Sequence, residues 1–454
     1  MNNTSTGSQV LAVPKLIKVT WGSGALGVSI LMNAMSFFAL FYMVDILLIN
    51  PFLAGSVLFA SKLFDVFTDP IVGAWSDRLN TSGSRRRPFL VVGAFISAVS
   101  FALIFSTPMF DAEWMRAAYI FVALLFYTLG YTLFNVPYIS MPAEMTDDYN
   151  ERSSIFGYRM VFVATGSLLV GSAAPMILGI LGRNDWSSYA LVGSVGAVII
   201  LVSMLTAWAG SKDARFTSAS TSVPPNLFSE VRHVIKVEGF VRLLGAKALQ
   251  LLGIAATSAA LLFFVINTMG RDFDTIALYG LVLGLGGIAF TPALVWLSRQ
   301  IGKRNTYILA ASSNVIASIS WYWADSSEPS IGVVLRALLI AVAFSGNVIM
   351  AMSILSDIIN GDAAKNNVRR EGVFTSFYSF VEKFTFAFGP LLVGVALGVA
   401  GFSKDLSPEE LAAPAIQQAM LLGVCYLPAV LGILSVVLLT GIKDAKPHPA
   451  TSSA

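Results

Sequence analysis

The sequence predicts an all-α membrane protein with twelve transmembrane helices in two six-helix pseudo-repeats around a central cavity. Three observations predict this architecture: an apolar composition, twelve long apolar segments, and motifs that recur at a nearly constant spacing. Of the 454 residues, 56% are hydrophobic and 12% are charged, whereas about a quarter of the residues of a soluble protein are charged. Because no water-soluble core could bury so much apolar surface, the composition indicates a chain that crosses the membrane many times.

A membrane-spanning helix needs about 20 predominantly apolar residues, and twelve segments meet this requirement. They lie near 20–48, 52–76, 88–107, 115–142, 154–181, 188–209, 241–268, 275–298, 305–323, 331–357, 373–400 and 411–441. The longest polar interruption, 211–240, separates six segments from six. The predicted regions are an N-terminal tail (1–19), a first bundle (20–210), a central loop (211–240), a second bundle (241–441) and a C-terminal tail (442–454).

The loops between the predicted helices differ in charge. Loops on one side contain fifteen lysines and arginines, and those on the other side contain only Arg116, Arg183, Arg271 and Lys404. Loops rich in lysine and arginine stay in the cytoplasm, so we expect both tails and the central loop there, in a bacterial inner membrane. The start, MNNTSTGSQVLAVPK, lacks a basic region followed by a short apolar core, so we expect no cleaved signal peptide.

Two pairs of motifs recur at nearly one spacing. SDRLNTSGSRRRPFL follows the second segment and LSRQIGKRNTYIL follows the eighth, and their basic clusters end at Arg87 and Arg304. NERSSIFGYR opens the fifth segment with Glu151, and RREGVFTSFYSFVEK opens the eleventh with Glu371, at almost the same separation. Basic loops recur in many membrane proteins, but two unrelated landmarks with similar offsets favour an internal repeat.

The second segment carries charges at membrane depth, in the stretch KLFDVFTDPIVGAWSDR (62–78). At 100° per residue, Lys62, Asp65 and Asp69 lie on one helical face, and each costs about 2.5–3.5 kcal/mol to insert. One reading is a packing cluster in which Lys62 pairs with Asp65. The other is a cation site, because one lysine cannot neutralise two carboxylates and oxygen-rich pockets suit Na⁺. We favour the cation site, with Thr68 adding a hydroxyl, since ionisable residues within membranes are functional by default.

The fourth segment adds polar residues that could line the same cavity. The stretch YTLFNVPYIS places Tyr131, Thr132, Asn135 and Tyr138 on neighbouring helical faces. Asp45, near the outer end of the first segment, is expected to be solvated.

Two basic residues lie at corresponding places in the predicted halves, Arg159 on the fifth segment and Lys383 on the eleventh. The alternative for Arg159 is that it extends to the cytoplasmic surface. The alternative for Lys383 is an ion pair with Glu382, although adjacent residues diverge on a helix.

Other classes of site are disfavoured by the composition and motifs. The single cysteine, Cys425, excludes an internal disulfide, and His233 and His448 fall in predicted loops or tails, which argues against a histidine metal site. The glycine-rich stretch GLVLGLGG at 280–287 lies within an apolar segment without a preceding strand, so close helix packing explains it better than nucleotide binding. We find no GxxxxGK[ST] phosphate loop and no nucleophile motif, and therefore expect no enzyme and no nucleic-acid partner.

Several motifs together resemble one transporter family. DVFTDPIVGAWSDR with SRRRPF, YTLFNVPY, TDDYNERSSIFGYR and RREGVFTSFYSFVEK are similar to the glycoside–pentoside–hexuronide:cation symporters, the melibiose-permease branch of the major facilitator superfamily. The resemblance runs from about Trp21 to the last segment and implies the major facilitator fold. Gly73, Asp77 and Arg78 also resemble the loop motif of the wider superfamily, which implies a role in conformational change.

The resemblance implies roles for individual residues. It makes Asp65 and Asp69 the cation carboxylates, with Thr68 and Thr132 as neighbouring ligands. The implied or candidate solute-site residues are Ser29, Lys62, Tyr131, Asn135, Tyr138, Arg159 and Lys383. Sugar-carrying members have aspartates where this chain has Ser29 and Asn135, and a tryptophan where it has Ile139. The cation half of the family pattern is therefore complete, whereas the sugar half is weakened.

The expected function is alternating-access symport of a sugar, glycoside or related small organic solute, driven by Na⁺ or H⁺. The alternative is an uncoupled carrier or exporter of a non-sugar amphipathic solute or lysolipid. A membrane enzyme or sensor on a transporter scaffold is the least favoured reading. The expected partners are the solute, the coupling cation and the lipid bilayer, with a monomeric chain and no cofactor beyond the coupling ion.

Overall fold

The fold is all-helical in the residues described by this computed structural model, 13–78, 86–146, 148–212, 232–237, 239–366 and 370–442. These residues form twelve long helical segments, some containing a π-helical turn. They are α1 (Lys15–Phe37, Ala39–Phe41 and Tyr42–Ile46), α2 (Pro51–Arg78), α3 (Arg87–Phe105), α4 (Glu113–Met145), α5 (Tyr149–Leu168, Leu169–Ala173 and Ala174–Leu181), α6 (Trp186–Gly210), α7 (Phe240–Phe263 and Phe264–Thr268), α8 (Phe273–Ile301), α9 (Lys303–Ser320), α10 (Ser330–Asn366), α11 (Glu371–Val399) and α12 (Pro414–Leu421, Leu422–Tyr426 and Leu427–Thr440).

Length and apolarity support fewer spans than the twelve predicted. Among the described residues, ten helices are long and apolar enough to cross a membrane, or eleven if α1, bent by 50° before Ala39, is one span. The remaining helix, α9, contains Lys303, Arg304 and a serine–serine–asparagine run, which lower its mean hydropathy. It nevertheless packs against α10 and α12 as a full-length member of the bundle.

Helix boundaries lie slightly outside the predicted ones because polar capping turns extend several apolar segments. The Asp148 carboxylate accepts a hydrogen bond from the Glu151 amide at 2.7 Å and starts α5. Asp185 caps α6 in the same way. These carboxylates pair with amides that have no partner within the helix. At the start of the chain, α1 begins at Lys15, within the predicted 1–19 tail.

Helices pack mainly within the first six and within the last six. The extensive contacts that join the two groups are those of α2 with α11 and of α5 with α8. π-helical turns occur at Tyr42–Ile46 of α1 and Phe264–Thr268 of α7, at a separation close to the offsets of the sequence motifs. The division into two bundles stays a prediction, since most of the predicted 211–240 loop lies outside the described residues.

The bundle has two ends, which we name by their residues. The basic end carries Lys15 and Arg87, the first residues of α1 and α3, and the opposite end carries Pro51 and Phe273, which start α2 and α8. A contact at the basic end shows that α3 and α6 run antiparallel. The guanidinium of Arg87, at the start of α3, donates to the carbonyl of Trp208, close to the end of α6.

The two groups of helices meet at the opposite end of the bundle. The rings of Phe41 and Phe263 lie 5.2 Å apart, and Arg183 forms a 3.1 Å ion pair with Asp272. The pairs of Lys383 with Asp69 and Asp65 and the ring contact of Phe59 with Phe388 also join the two groups, at the level of Lys383 or closer to this end.

The apolar core shows the same asymmetry. One buried cluster includes residues of both groups at the opposite end, such as Leu40 and Phe264. At the basic end, the apolar residues of the last six helices, such as Leu243 and Phe374, form a separate cluster. Because the apolar packing of the described residues joins the groups at one end only, we call that end the closed one.

Close backbone packing seals α5 against α8 at the closed end. A Cβ atom on Gly280 would overlap the Gly171 carbonyl oxygen, so only glycine fits there. This confirms the expectation that the glycine-rich stretch 280–287 lies within a spanning helix and serves close packing.

Candidate functional site

Two carboxylates of α2 and one hydroxyl of α4 converge in the middle of the bundle. Thr132 Oγ1 lies 2.9 Å from Asp65 Oδ1 and 2.9 Å from Asp69 Oδ1. Asp65 is 6% exposed, and Thr132 is fully buried. Their positions in the sequence place the aspartates one helical turn apart on the same face of α2. The three oxygens form a compact set of the hard ligands that alkali cations prefer.

The counter-charge of the two carboxylates comes from α11. The Lys383 ammonium contacts Asp69 Oδ2 directly and lies 3.3 Å from Asp65 Oδ2. It also lies 5.8 Å from the centre of the Tyr131 ring. Lys383 is therefore the counter-ion of the candidate cation carboxylates and not only a solute residue, and it links α2 to α11 across the two groups of helices.

Lys62 does not form the pair with Asp65 that the alternative reading, a packing cluster, requires. Its ammonium lies 5.9 Å from the centre of the Tyr127 ring, and within the described residues it has no ion pair with a carboxylate. Asp65 is paired with Lys383 instead. Sequence periodicity correctly places Lys62 and Asp65 on one face of α2, but it cannot show that a lysine of α11, in the other group of helices, reaches the same carboxylate.

The predicted residues of α4 lie next to this cluster. The Asn135 amide donates to the Tyr131 hydroxyl at 3.1 Å, and the Tyr131 hydroxyl contacts Met32 Sδ at 3.2 Å. Asn135 Oδ1 is buried and has no hydrogen-bond partner in the structure. Tyr138 is fully buried, and its hydroxyl donates to the Trp21 carbonyl at 3.0 Å. Tyr131 and Asn135 therefore adjoin the cation cluster, whereas Tyr138 packs α4 against α1.

Two predicted residues have their hydroxyls engaged elsewhere. Ser29 donates to the Val163 carbonyl at 2.8 Å and lies 3.2 Å from the Ser167 hydroxyl, which packs α1 against α5. Thr68 donates to the Asp65 backbone carbonyl at 3.2 Å, within its own helix. The structure therefore does not bring Ser29 or the Thr68 hydroxyl to the carboxylate cluster.

Arg159 lies on α5 close enough to Tyr131 and Tyr138 to interact with them electrostatically. Its Nε atom is buried without a hydrogen-bond partner. Gly73 lies within α2, whereas the side chains of Asp77 and Arg78 are outside the part of the chain that the structure describes.

Asp45 corrects a further expectation. We expected a solvated residue at the end of the first segment, but Asp45 is only 8% exposed. The π-helical turn Tyr42–Ile46 places it inside the closed end of the bundle.

A second polar cluster was not predicted. Lys247 of α7 forms an ion pair of 3.1 Å with Glu382 and also contacts Asn347 of α10. Asn347 in turn contacts Gln250, whose amide donates to Ser435 of α12 at 2.7 Å. The sequence did contain a signal for this cluster. Lys247 lies in an apolar segment, and Gln250 follows it one helical turn later on the same helical face.

A family model supports the fold independently of the site. The model described as MFS/sugar transport protein matches residues 20–443, which is nearly the whole chain. Solved structures agree: a bacterial homologue of the human lysosomal transporter Spinster, in an inward-facing and unoccupied conformation, has a TM-score of 0.67 at 13% identity and covers 96% of this chain and 98% of its own.

Curated relatives are named symporters or transporters. The uncharacterized symporter YjmB of Bacillus subtilis is 26% identical over 89% of this chain and 88% of its own length. The isoprimeverose transporter of Lactiplantibacillus pentosus is 23% identical over 92% and 86%. The sodium-dependent lysophosphatidylcholine symporter 1 of Xenopus tropicalis is 24% identical over 93% and 86%.

These matches confirm the major facilitator fold and the multi-pass membrane location, and they indicate a transporter rather than an enzyme. Because the family model spans almost the entire sequence, the chain belongs to the MFS/sugar transport protein family, the family that the motifs of α2, α4, α5 and α11 predict.

Proposed function

We propose that this protein is a secondary active symporter that couples Na⁺ or H⁺ to a sugar, glycoside or related small organic solute, in a bacterial inner membrane. The observation that carries the proposal is the oxygen cluster of Asp65, Asp69 and Thr132, which is bridged to the other group of helices by Lys383. Its relatives include a putative glycoside/cation symporter of Escherichia coli, which supports the same class of activity.

Charge balance explains how a cation could act at this cluster. Two carboxylates and one ammonium leave a surplus negative charge, and the Thr132 hydroxyl has one proton for two acceptors. A cation placed among these oxygens would satisfy the second carboxylate and compete with Lys383 for Asp69. H⁺ could act in the same way by protonating one carboxylate, so the geometry accommodates either ion.

Competition with Lys383 supplies a route to coupling. In this conformation the lysine holds α11 to α2, across the interface between the two groups of helices. A cation at the carboxylates would weaken that link and leave the ammonium free in the central space. A differential affinity of about 1–3 kcal/mol between conformations is enough for such coupling, and rocking of the two groups would then expose the solute to the other side.

The test is transport by the purified protein in proteoliposomes with an imposed Na⁺ or H⁺ gradient. Asp69→Asn keeps the size of the side chain but removes the charge, so we expect gradient-driven accumulation to fall to background while cation-independent exchange persists. Asp45→Asn, an acid-to-amide change at the closed end, is the matched control. If Asp69→Asn accumulates solute as the native protein does, the cation assignment is wrong.

A second candidate function is uncoupled transport or export of an amphipathic solute such as a lysolipid. Similarity to the sodium-dependent lysophosphatidylcholine symporters favours the amphipathic solute, although not the absence of coupling. The absence of acids at Ser29 and Asn135 favours a non-sugar solute. Counterflow of lysophosphatidylcholine at an unchanged rate in media free of Na⁺ and at several pH values would favour this function over coupled symport.

A further inference from the structure

A cavity of about 490 Å³ lies within the last six helices at the basic end of the bundle. Its walls are the segment 232–237, the starts of α7 and α9, and the ends of α10 and α12. Asp65, Asp69 and Thr132 are not among the residues that line it. Because sites for small molecules commonly have volumes of about 300–1,000 Å³, this cavity can hold a small ligand apart from the candidate cation site.

Buried contacts hold the walls of the cavity in place. Val234, in the segment 232–237, is fully buried in the apolar cluster of the last six helices. Asp362 of α10 is 5% exposed, and its carboxylate lies 2.9 Å from His233 and 3.4 Å from Arg370. These contacts join the segment to α10 and to the start of α11, so the cavity is part of the packed structure.

Two lysines at the cavity have no counter-charge. Lys303 is paired with Asp357 at 2.6 Å, and Asp362 is already compensated by its own partners. Lys236 and Lys365 also line the cavity, and neither ammonium has an ion pair or a hydrogen bond among the described residues. Two uncompensated ammonium groups therefore remain at opposite sides of the lining, one on the segment 232–237 and one in the last turn of α10.

Two helix starts add to this positive potential. Gly239 precedes α7 and Lys303 is the first residue of α9, and both line the cavity. No side chain caps either helix, and the amide groups at a helix start carry a partial positive charge that favours anions. Lysines are common at the cytoplasmic end of membrane proteins, but here they border a cavity that two uncapped helices also face.

The charge of the lining selects the class of ligand. A phosphate monoester carries a charge of about −1.5 to −2 near pH 7 and three strong acceptor oxygens. Lysine ammonium groups only donate hydrogen bonds, so two of them match one such group in both charge and hydrogen bonding. A single carboxylate would neutralise only one of the two lysines.

We propose that this cavity binds a phosphate monoester group, held by Lys236 from the segment 232–237 and by Lys365 from the end of α10. The bound group links the end of the predicted central loop to α10 and to the start of α9. This ligand is neither the transported solute nor the coupling cation, so the inference goes beyond the proposed function and does not depend on it. Two sources carry such a group: a soluble phosphate ester, and phosphatidic acid in the bilayer.

The experiment measures the binding of ³²P-labelled glycerol 3-phosphate to the full-length protein in dodecyl maltoside, a detergent without phosphate. Lys236→Gln with Lys365→Gln removes both uncompensated charges, and we expect binding to weaken about tenfold or more. The melting temperature without ligand should stay the same, because neither ammonium has a partner to lose. The matched control is Lys15→Gln with Lys212→Gln, which removes two exposed lysines at the basic end of the first six helices and should leave binding unchanged.

Gly361→Leu tests whether the ligand lies inside the cavity. Gly361 lines the cavity, and a Cβ atom there would meet no neighbouring atom within 4 Å. A leucine therefore takes up cavity volume without removing a charge, and we expect it to weaken binding about tenfold while the melting temperature without ligand is kept.

Phosphatidic acid provides the second arm of the experiment. Nanodiscs of phosphatidylcholine with and without phosphatidic acid are compared by melting temperature, for the native protein and for both double variants. A rise that is lost in the cavity double variant, without binding of glycerol 3-phosphate, would identify the lipid as the source. Binding of glycerol 3-phosphate without such a rise would identify a soluble ester.

Three results would overturn the proposal. They are the absence of a response to either probe, equal losses in the cavity and control double variants, and native affinity in either cavity variant. All measurements are made without an ion gradient and with Asp69 intact, so failure here leaves the proposed symport standing.

Discussion

Thr132 shows how one side chain organises the candidate cation site. Its hydroxyl lies 2.9 Å from an oxygen of each aspartate but carries a single proton, so only one carboxylate can be satisfied fully at a time. The threonine is fully buried and cannot recruit bulk water to compensate. One of the two carboxylate oxygens is therefore left without this proton, next to the oxygen that receives it. Two neighbouring oxygens that share one proton are the local condition for binding a cation.

Removing this hydroxyl should weaken cation binding without unfolding the protein. Thr132→Val keeps the shape of the side chain and deletes the oxygen, and a bond to a charged group contributes about 1.5–3 kcal/mol, so Na⁺ affinity should fall roughly tenfold to a hundredfold. Binding of ²²Na⁺ measures this directly. Thr132→Ser retains the hydroxyl and serves as the control; equal losses in both variants would argue against a ligand role.

Glu151 illustrates a residue-scale contact outside the membrane. Its carboxylate pairs with the Lys18 ammonium at 2.8 Å and accepts from the Val13 amide at 3.0 Å, which ties the start of α1 to the start of α5. Hydrogen bonding to Lys18 lowers the pKa of Glu151 below its ordinary value of 4.5. Because the pKa is lower in the folded state, the contact stabilises the fold at pH values above the ordinary pKa of 4.5. This stabilisation is lost as the pH falls through the folded-state pKa.

Accordingly, Glu151→Gln should lower the melting temperature slightly at pH 7, and the difference from the native protein should disappear at acid pH. Melting curves from neutral to strongly acid pH provide the measurement. Glu409→Gln, in an exposed segment before α12, is expected to leave the melting temperature unchanged across the range. A constant difference at all pH values would mean that charge is not the cause.

At the scale of helices, two seams decide which end of the transporter is closed. α5 and α8 touch through backbone at Gly171 and Gly280, and α2 and α11 approach closely at Gly55 and Gly394. Small residues let helices pack tightly within a membrane, where lipid supplies no hydrophobic driving force between them. Because both seams lie at the opposite end, separating them is the motion that opening at that end requires.

We therefore expect Gly280→Ala to favour conformations that are open at the opposite end. Its added Cβ would overlap the Gly171 carbonyl oxygen, which forces α5 away from α8. Spin labels at Asn184→Cys and Ser326→Cys, in a Cys425→Ser background, would report a longer distance across that end.

The control for this prediction lies on the same helix. A Cβ atom on Gly287 would have Ser345 Oγ as its nearest neighbour at 3.8 Å, an ordinary contact, so Gly287→Ala should leave the label distance unchanged. An unchanged distance in Gly280→Ala would mean that the seam can relax without opening.

For the whole molecule, the shape of the core indicates an intermediate of alternating access. Among the described residues, apolar packing joins the two groups of helices at the opposite end only. If the basic end is cytoplasmic, as the loop charges predict, this conformation is open to the cytoplasm. The candidate cation site then lies where a solute and an ion would be released.

Orientation is the prediction that belongs to this scale. Fluorescent-protein fusions at the N- and C-termini should both be bright, and alkaline phosphatase fusions at the same places should both be inactive, because both termini are predicted to be cytoplasmic. A phosphatase fusion after Arg183, at the opposite end, should be active. Opposite results at the two termini would require an odd number of spans, contrary to the twelve helical segments of the described residues.

Local sequence was enough for most of the fold. Apolar length predicted the helix boundaries to within five residues except at the end of α10, which continues to Asn366 instead of 357, and periodicity placed Asp65 and Asp69 on one face of α2. Both features depend on residues close together in the chain. The burial of Asp45 differs from the prediction because packing with other helices, and not local composition, decides which polar residues a bundle can enclose.

The sequence by itself determined that this chain is a helical membrane protein with acids held at membrane depth, since composition and helical period follow directly from residue order. Only the tertiary structure decided which groups neutralise those acids and which end is closed. Lys383 of α11 reaches the acids of α2, and its neighbour Glu382 reaches Lys247 of α7, although these helices are far apart along the chain. Such pairings depend on how helices pack around a shared space, which no local pattern of residues specifies.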